Sequence, residues 1–267
     1  TVSEKGSFFV ITVPSFRPDI EGEADIVEEI LRIYGFDKIP LTNVTDHNSK
    51  RSILSSELKS FYKIKRAIAN SGYLEAVTWS FMDEKISTLL SSNAIKIKNP
   101  ISSDLNVMRP SNIPNLLVAV NQNKSKMISS GKIFEVGPIF DETLADKQVN
   151  VATGIAYGNL SGNNWNSENK DFDVFAVKSD LMKILKSLNA PIENLNYESI
   201  NNKVFHPGKS SSLRIGKNII ANFGELNPIL LKSLDISNTV VAFEIFTNTL
   251  AQFLGKKTST ISAFDNN

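Results

Sequence analysis

Thr-Val-Pro-Ser-Phe-Arg-Pro-Asp-Ile-Glu-Gly-Glu-Ala-Asp-Ile-Val-Glu-Glu-Ile-Leu-Arg-Ile-Tyr-Gly-Phe-Asp-Lys-Ile-Pro, residues 12–40, falls into three pieces by its chemistry. An apolar extended run ends at Pro14, and a proline-bounded turn carries Arg17 and Asp19. An acidic helix is expected from Gly22 to Tyr34, stopped by Gly35. At about 100° per residue, Asp25, Glu28 and Glu29 share one face of that helix, while Ile26, Ile30 and Ile33 share another. Asp19 stands six positions before Asp25, in the turn that enters the helix, so its carboxylate can fold back toward the helix N-terminus. Carboxylates crowded in this way repel one another unless a hard divalent ion or a basic partner offsets their charge, and Mg2+ takes one or two of them while keeping waters. The same spacing also reads as a capping pair, Asp25 with Glu28, in a first turn where acids suit the helix dipole. Spacing alone leaves both readings open.

The composition around this stretch is that of a globular chain. Of 267 residues, 41% are hydrophobic and 21% charged, enough for one large domain with a small appendage. A net charge of +1 provides no broad basic field for nucleic acid, so any RNA contact must be local. With no cysteine there is no disulfide, thiolate nucleophile or cysteine-ligated zinc, and two histidines, His47 and His206, cannot build a His-rich metal centre. No apolar run of about 18 residues and no signal peptide stands out, so a cytoplasmic, non-membrane protein is expected. Beginning at Thr1 in mid-strand, the chain reads as a piece of something longer.

The remaining segments follow in order. Residues 1–13 hold a β-branched, aromatic run that predicts a strand. The polar stretch 41–56 is expected to be a loop containing the domain boundary, with His47 exposed in it. Residues 56–71 predict a helix with Leu58, Phe61, Tyr62, Ile64, Ile68 and Ala69 on its apolar stripe and Lys59, Lys63 and Arg66 opposite, stopped by Gly72. Strands are expected over 73–81 and 94–98, with a short helix over 83–91 between them. A helix over 115–126, a strand from Lys132 with a tight turn at Gly137-Pro138, a strand over 149–157 and an amphipathic helix over 174–188 come next.

The 12–40 stretch closely resembles the beta subunit family of bacterial phenylalanyl-tRNA synthetases. The family pattern is Pro-Ser-Phe/Trp-Arg-x-Asp, then Asp-x-x-Glu-Glu, then Arg-x-Tyr-Gly-Phe/Tyr-x-x-Ile-Pro. This chain carries Pro14, Ser15, Phe16, Arg17, Asp19, Asp25, Glu28, Glu29, Arg32, Tyr34, Gly35, Phe36, Ile39 and Pro40. Further likenesses are Met108-Arg109 before a helix with Leu116 and Leu117, with Pro110 in place of the usual Thr, and Trp165 with Asp171-Phe172-Asp173. They continue in Phe205-His206-Pro207-Gly208 and in Gly224-Glu225-Leu226-Asn227-Pro228, where Asn227 replaces His. The helix after residue 56 and its Gly72-Tyr73 stop are similar to the dimer-interface motif of class II synthetases.

The resemblance implies an α+β fold: a class II aminoacyl-tRNA synthetase-like, mostly antiparallel sheet flanked by helices. Residues 1–43 would end a small domain that precedes this core, 44–255 would form the core, and 256–267 would begin a linker. It implies Mg2+ on Asp19, Asp25, Glu28 and Glu29, in a site shared with the catalytic alpha subunit of a two-alpha, two-beta tetramer that charges tRNA(Phe). Neither membrane nor DNA enters the expectation. No catalytic residue is expected in this chain, and ATP would be used by the assembly. Glu244 and Phe246 stand where catalytic relatives have glycines that admit adenine, Asn248 and Thr249 replace Glu-Arg, and Asp141 and Glu142 follow the strand where a phosphate-binding arginine belongs. Two other readings of the residues are a Mg2+-dependent hydrolase using the four acids and a nucleic-acid-binding module using Lys59, Lys63 and Arg66.

Overall fold

The computed structural model describes residues 1–41, 54–144, 148–161, 165, 170–200 and 202–254. The chain forms two units, Thr1–Ile53 and Leu54–Asn267. The expected position of His47, the boundary at residue 44 and the linker beyond 255 fall outside the described residues.

In the first unit β1 (Val2–Lys5) and β2 (Phe8–Ile11) pair antiparallel, from Val2 opposite Ile11 to Lys5 opposite Phe8. Gly6, at φ +64°, makes the two-residue turn between them. Helix α1 (Glu23–Tyr34) begins after Gly22 and ends as expected at Gly35, whose φ of +106° suits glycine and whose N–H donates to the Leu31 carbonyl. One 3-10 turn, Phe36–Lys38, follows. No side chain of the hairpin or of α1 is buried, and Phe8, Phe9, Ile30 and Ile33 are exposed.

The second unit contains α2 (Ser56–Asn70), β3 (Leu74–Glu75), β4 (Phe81–Met82), α3 (Glu84–Leu90), β5 (Val107–Met108), α4 (Ile113–Ser125), β6 (Gly131–Phe140) and β7 (Gln148–Tyr157). After these come α5 (Val174–Ser187), β8 (Asn196–Glu198), β9 (Phe205–Ile215), β10 (Asn218–Leu226), α6 (Pro228–Ser233), β11 (Val240–Phe246) and α7 (Thr247–Ala251). Seven strands form one sheet in the order β3-β6-β7-β11-β10-β9-β8, antiparallel throughout except where β3 joins β6. The side-chain alternation of strands splits the core between the two faces of the sheet. Phe134, Val136, Ala152, Val241, Phe243 and Ile245 face α2 and α5, meeting Ile64, Ile68, Leu181, Ile184 and Leu185. Ile133, Ile155, Tyr157, Val240 and Ala242 face α4 and α6, meeting Leu116, Leu117, Val120, Leu230 and Leu231. Asp180 ties α5 to the sheet by accepting from both Lys132 Nζ and the Tyr73 hydroxyl. Burial, and then the charge of Asp180, raises the Tyr73 pKa well above its ordinary value.

Several expectations are corrected here. The strand expected over 73–81 is broken into β3 and β4, because Thr78 and Trp79 are drawn instead to the Arg109 guanidinium. Residues 94–98 make only an isolated bridge, Lys96 opposite Val107. No turn forms at Gly137-Pro138, where β6 continues to Phe140. β3 pairs with β6 only at Ile133 and Phe134, so beyond them one side of β6 is free of this ladder and tolerates a proline that cannot donate. On α2, Ile64, Ala67 and Ile68 are buried, whereas Leu58, Tyr62 and Ala69 are exposed. No helix among the described residues is long and apolar enough to cross a membrane.

Candidate functional site

The acidic turn and α1 place three of the four sequence-predicted carboxylates in two separate arrangements and leave Glu28 outside both. Arg17 Nε reaches both oxygens of Asp19, at 2.9 and 3.1 Å, and its Nη2 reaches Asp19 Oδ2 at 2.7 Å and Glu29 Oε1 at 2.6 Å. Arg32 Nη2 takes the other oxygen of Glu29 at 2.6 Å. Hydrogen bonds from Arg17 hold the carboxyl of Asp19 below its ordinary pKa, and bonds from Arg17 and then Arg32 do the same for Glu29. Asp25 instead closes the helix start. Its Oδ2 accepts from the backbone N–H of Glu21 at 2.9 Å and of Gly22 at 2.8 Å, the reach-back half of a capping box. Glu28 has no ion-pair partner among the described residues. The donor chemistry suits Mg2+, but the arrangement does not: among the described residues no three His, Cys, Asp or Glu side chains gather as a metal site.

A second polar assembly, missed by sequence reasoning, crosses the sheet on the α4 face. Ladder register sets Glu135 of β6, Thr153 of β7, Glu244 of β11, Asn222 of β10 and Ser212 of β9 side by side. All five are buried. The segment Arg109–Asn112, between β5 and α4, lies over this rank and fastens to it residue by residue. Arg109, 1% exposed, donates from Nη1 to Glu135 Oε1 at 2.8 Å and to Thr78 Oγ1 at 2.9 Å, and from Nε to the Pro138 carbonyl at 2.9 Å. Thr78 in turn donates to Glu135 Oε2 at 2.6 Å, so both oxygens of the carboxylate are met. Gly137 makes room for this: a Cβ there would lie 2.6 Å from Arg109 Nη2. Ser111 Oγ donates to Glu244 Oε1 at 2.8 Å, and Asn112 Nδ2 donates to Thr153 Oγ1 and the Val151 carbonyl. With Pro110 beside it, Arg109 still makes these bonds.

Both carboxyls, Glu135 and Glu244, accept from a hydroxyl, but among the described residues Glu135 also has a cation and Glu244 has none. Burial pushes the Glu244 pKa up to about 7, and the Ser111 hydrogen bond offsets part of that rise. Other residues that the sequence singled out serve locally. His206 Nδ1 accepts from the Gly208 N–H, Asp173 caps α5 through Ala176 N–H, and Asn227 caps α6 through Ile229 N–H.

The surface beside β3 has a different character. Leu74, Val77 and Trp79 are 73%, 87% and 65% exposed on a segment flanking the sheet edge, with Trp79 stacked on Phe81 at 6.4 Å.

Residues 39–247 match the family model described as the phenylalanyl tRNA synthetase beta chain CLM domain, and residues 1–36 match the tRNA synthetase B5 domain. The phenylalanine–tRNA ligase beta subunit of Bartonella henselae is 38% identical over 97% of this chain and 33% of its own length. That of Rhodospirillum rubrum is 33% identical over the same shares. The chain thus spans about a third of the length of these curated relatives. Among solved structures, pyrrolysyl-tRNA synthetase from Desulfitobacterium hafniense superposes with a TM-score of 0.58 at 13% identity, covering 94% of this chain and 88% of that one. That likeness shows a class II synthetase fold and nothing finer.

Proposed function

The chain belongs to the phenylalanyl-tRNA synthetase beta-chain family, and from that premise we propose that its second unit is a non-catalytic synthetase-like scaffold that docks on a catalytic alpha subunit. One observation carries the non-catalytic half of this reading. The sheet face that would receive a nucleotide is filled by Glu244 and covered by residues 109–112, and Arg109 spends its guanidinium on Glu135 rather than on a phosphate. With its guanidinium paired to a buried carboxylate, Arg109 is not free to meet a triphosphate.

For docking, the support is the exposed apolar strip Leu74, Val77 and Trp79 together with Leu58 and Tyr62 of α2, the segment similar to the class II dimer-interface motif. An apolar strip beside a sheet edge is costly to leave in water and is used where another chain covers it. The proposed assembly holds two alpha and two beta subunits in the cytoplasm, with ATP and phenylalanine handled by alpha and tRNA(Phe) engaged by the whole. Residues 1–43, the core 44–255 and a linker from 256 are its proposed divisions. Mg2+ on Asp19, Asp25, Glu28 and Glu29 belongs to this proposal only as a site completed by the alpha subunit, since this chain alone does not gather the four.

The test mixes the 267-residue chain with the catalytic alpha subunit and measures the mass of the product by light scattering. A stable complex that Val77→Asp and Trp79→Asp weaken, with no ATP–pyrophosphate exchange by the chain alone, is the expected result. Exchange by the purified chain would refute the scaffold.

A further inference from the structure

We infer that Arg17 is the resident cation of the acidic turn, taking Asp19 and Glu29 into an arginine clamp while Asp25 caps the helix and Glu28 stands apart, so that the four are not a metal site in this chain. The clamp accounts for every oxygen of two acids. Both oxygens of Asp19 accept from Arg17, and the two oxygens of Glu29 accept from Arg17 and Arg32. Arg17 is itself held in place, because its backbone N–H donates to the Pro14 carbonyl at 3.0 Å, which closes the turn on which the side chain sits. Its planar fork matches carboxylates in a way a point charge does not, and it spans from the turn to the middle of α1, twelve residues on.

The cap accounts for a third acid. Asp25 Oδ2 is committed to two backbone donors that have no partner within the helix, and releasing it for a metal would strip the start of α1. Only Glu28 and one oxygen of Asp25 stand outside these bonds. A divalent ion drawing on Asp19 and Glu29 would therefore compete, at each, with a guanidinium already in place. This inference concerns the chain by itself and stands or falls separately from docking on an alpha subunit.

The experiment uses Mn2+ as the probe with the whole chain, following free ion by electron paramagnetic resonance and bound ion by broadening of the amide signals from Asp19 to Arg32. Equimolar Mn2+ is expected to remain free and to leave those signals sharp. Hydrogen exchange supplies the second readout: Arg17→Met should speed amide exchange across the turn and the first turns of α1 several-fold. Arg17→Lys, which cannot fork, should recover only part of the protection. If Arg17→Met unfolds the unit, Glu29→Gln cuts one arm of the clamp and gives the same readout in milder form. Stoichiometric Mn2+ uptake that Asp25→Asn or Glu28→Gln abolishes would overturn the inference, as would unchanged exchange in the clamp variants.

Discussion

The acids of the N-terminal unit and the acids of the sheet face are the same chemical groups put to opposite uses. Asp19, in the turn before α1, and Glu29, within α1, sit at the surface, where water already solvates most of their charge, and Arg17 adds geometry more than energy. On the sheet, Glu135 and Glu244 are 4% and 6% exposed, and there the partner decides everything. Glu135 is met by the Arg109 cation, while Glu244 is met by the Ser111 hydroxyl, and burial pushes its pKa up to about 7. A surface acid chooses its partner cheaply, whereas a buried one needs a cation or must take up a proton.

Removing the buried cation is the strongest way to break this contrast. Arg109→Met leaves Glu135 desolvated and uncompensated and releases Thr78 and the Pro138 carbonyl, so urea unfolding should show a loss of about 3–5 kcal/mol. The matching change at the surface, Arg17→Met, should leave the urea midpoint of the core where it was.

A smaller effect is expected at Glu244, and its sign follows from the direction of the shift. Its folded pKa of about 7 lies above the ordinary 4.5, so the native state holds a proton that the unfolded chain has released between those values. Stability from this group is therefore complete below pH 4.5, falls as pH rises and levels off above 7, by about 3 kcal/mol in all at 1.36 kcal/mol per pKa unit. Glu244→Gln keeps an acceptor for Ser111 without the charge and should abolish that slope in urea titrations run across the window. A slope that survives the substitution would assign the pH dependence to another group.

The smallest effect belongs to the surface clamp. Asp19 and Glu29 have depressed folded pKa values, so their contribution is present above the ordinary carboxylate range and is lost as pH falls through the folded values. Carbon-detected NMR titration of the two carboxyls should show both below their ordinary values. The depression should shrink in 1 M salt, where charges are screened beyond about 3 Å. A depression indifferent to salt would mean that the clamp is more enclosed than its exposure implies.

How much of this was legible varied with how local the cause was. The bounds of α1 followed from Gly22 and Gly35, and the caps at Asp173 and Asn227 lie within three residues of what they bond. The strand β7 was visible as a β-branched run, and so was the first half of β6. The break at Thr78 was not, because its cause is Arg109, thirty-one positions away, and Glu135, fifty-seven away. The continuation of β6 through Pro138 was equally hidden, since a proline reads as a stop until the neighbouring strand is known to be short. Of the candidate site, the four acids were found and their partners were not. Asp25 as a cap was one of two readings left open, and the pairing of Arg17 with Glu29 joins residues that no helical spacing connects.

By itself, the order of residues determined the family, the bounds of α1 and the helices α2, α4 and α5 to within a few residues, because these are matters of residue type and short spacing. Only the tertiary structure decided that Arg109 serves Glu135, that Glu244 faces Ser111 without a cation, and that Arg17 divides the acidic turn. Each of these is set by ladder register or by a turn folding back on a helix, and the energy of a charge depends on which groups are brought within a few ångströms of it and on how much water is left.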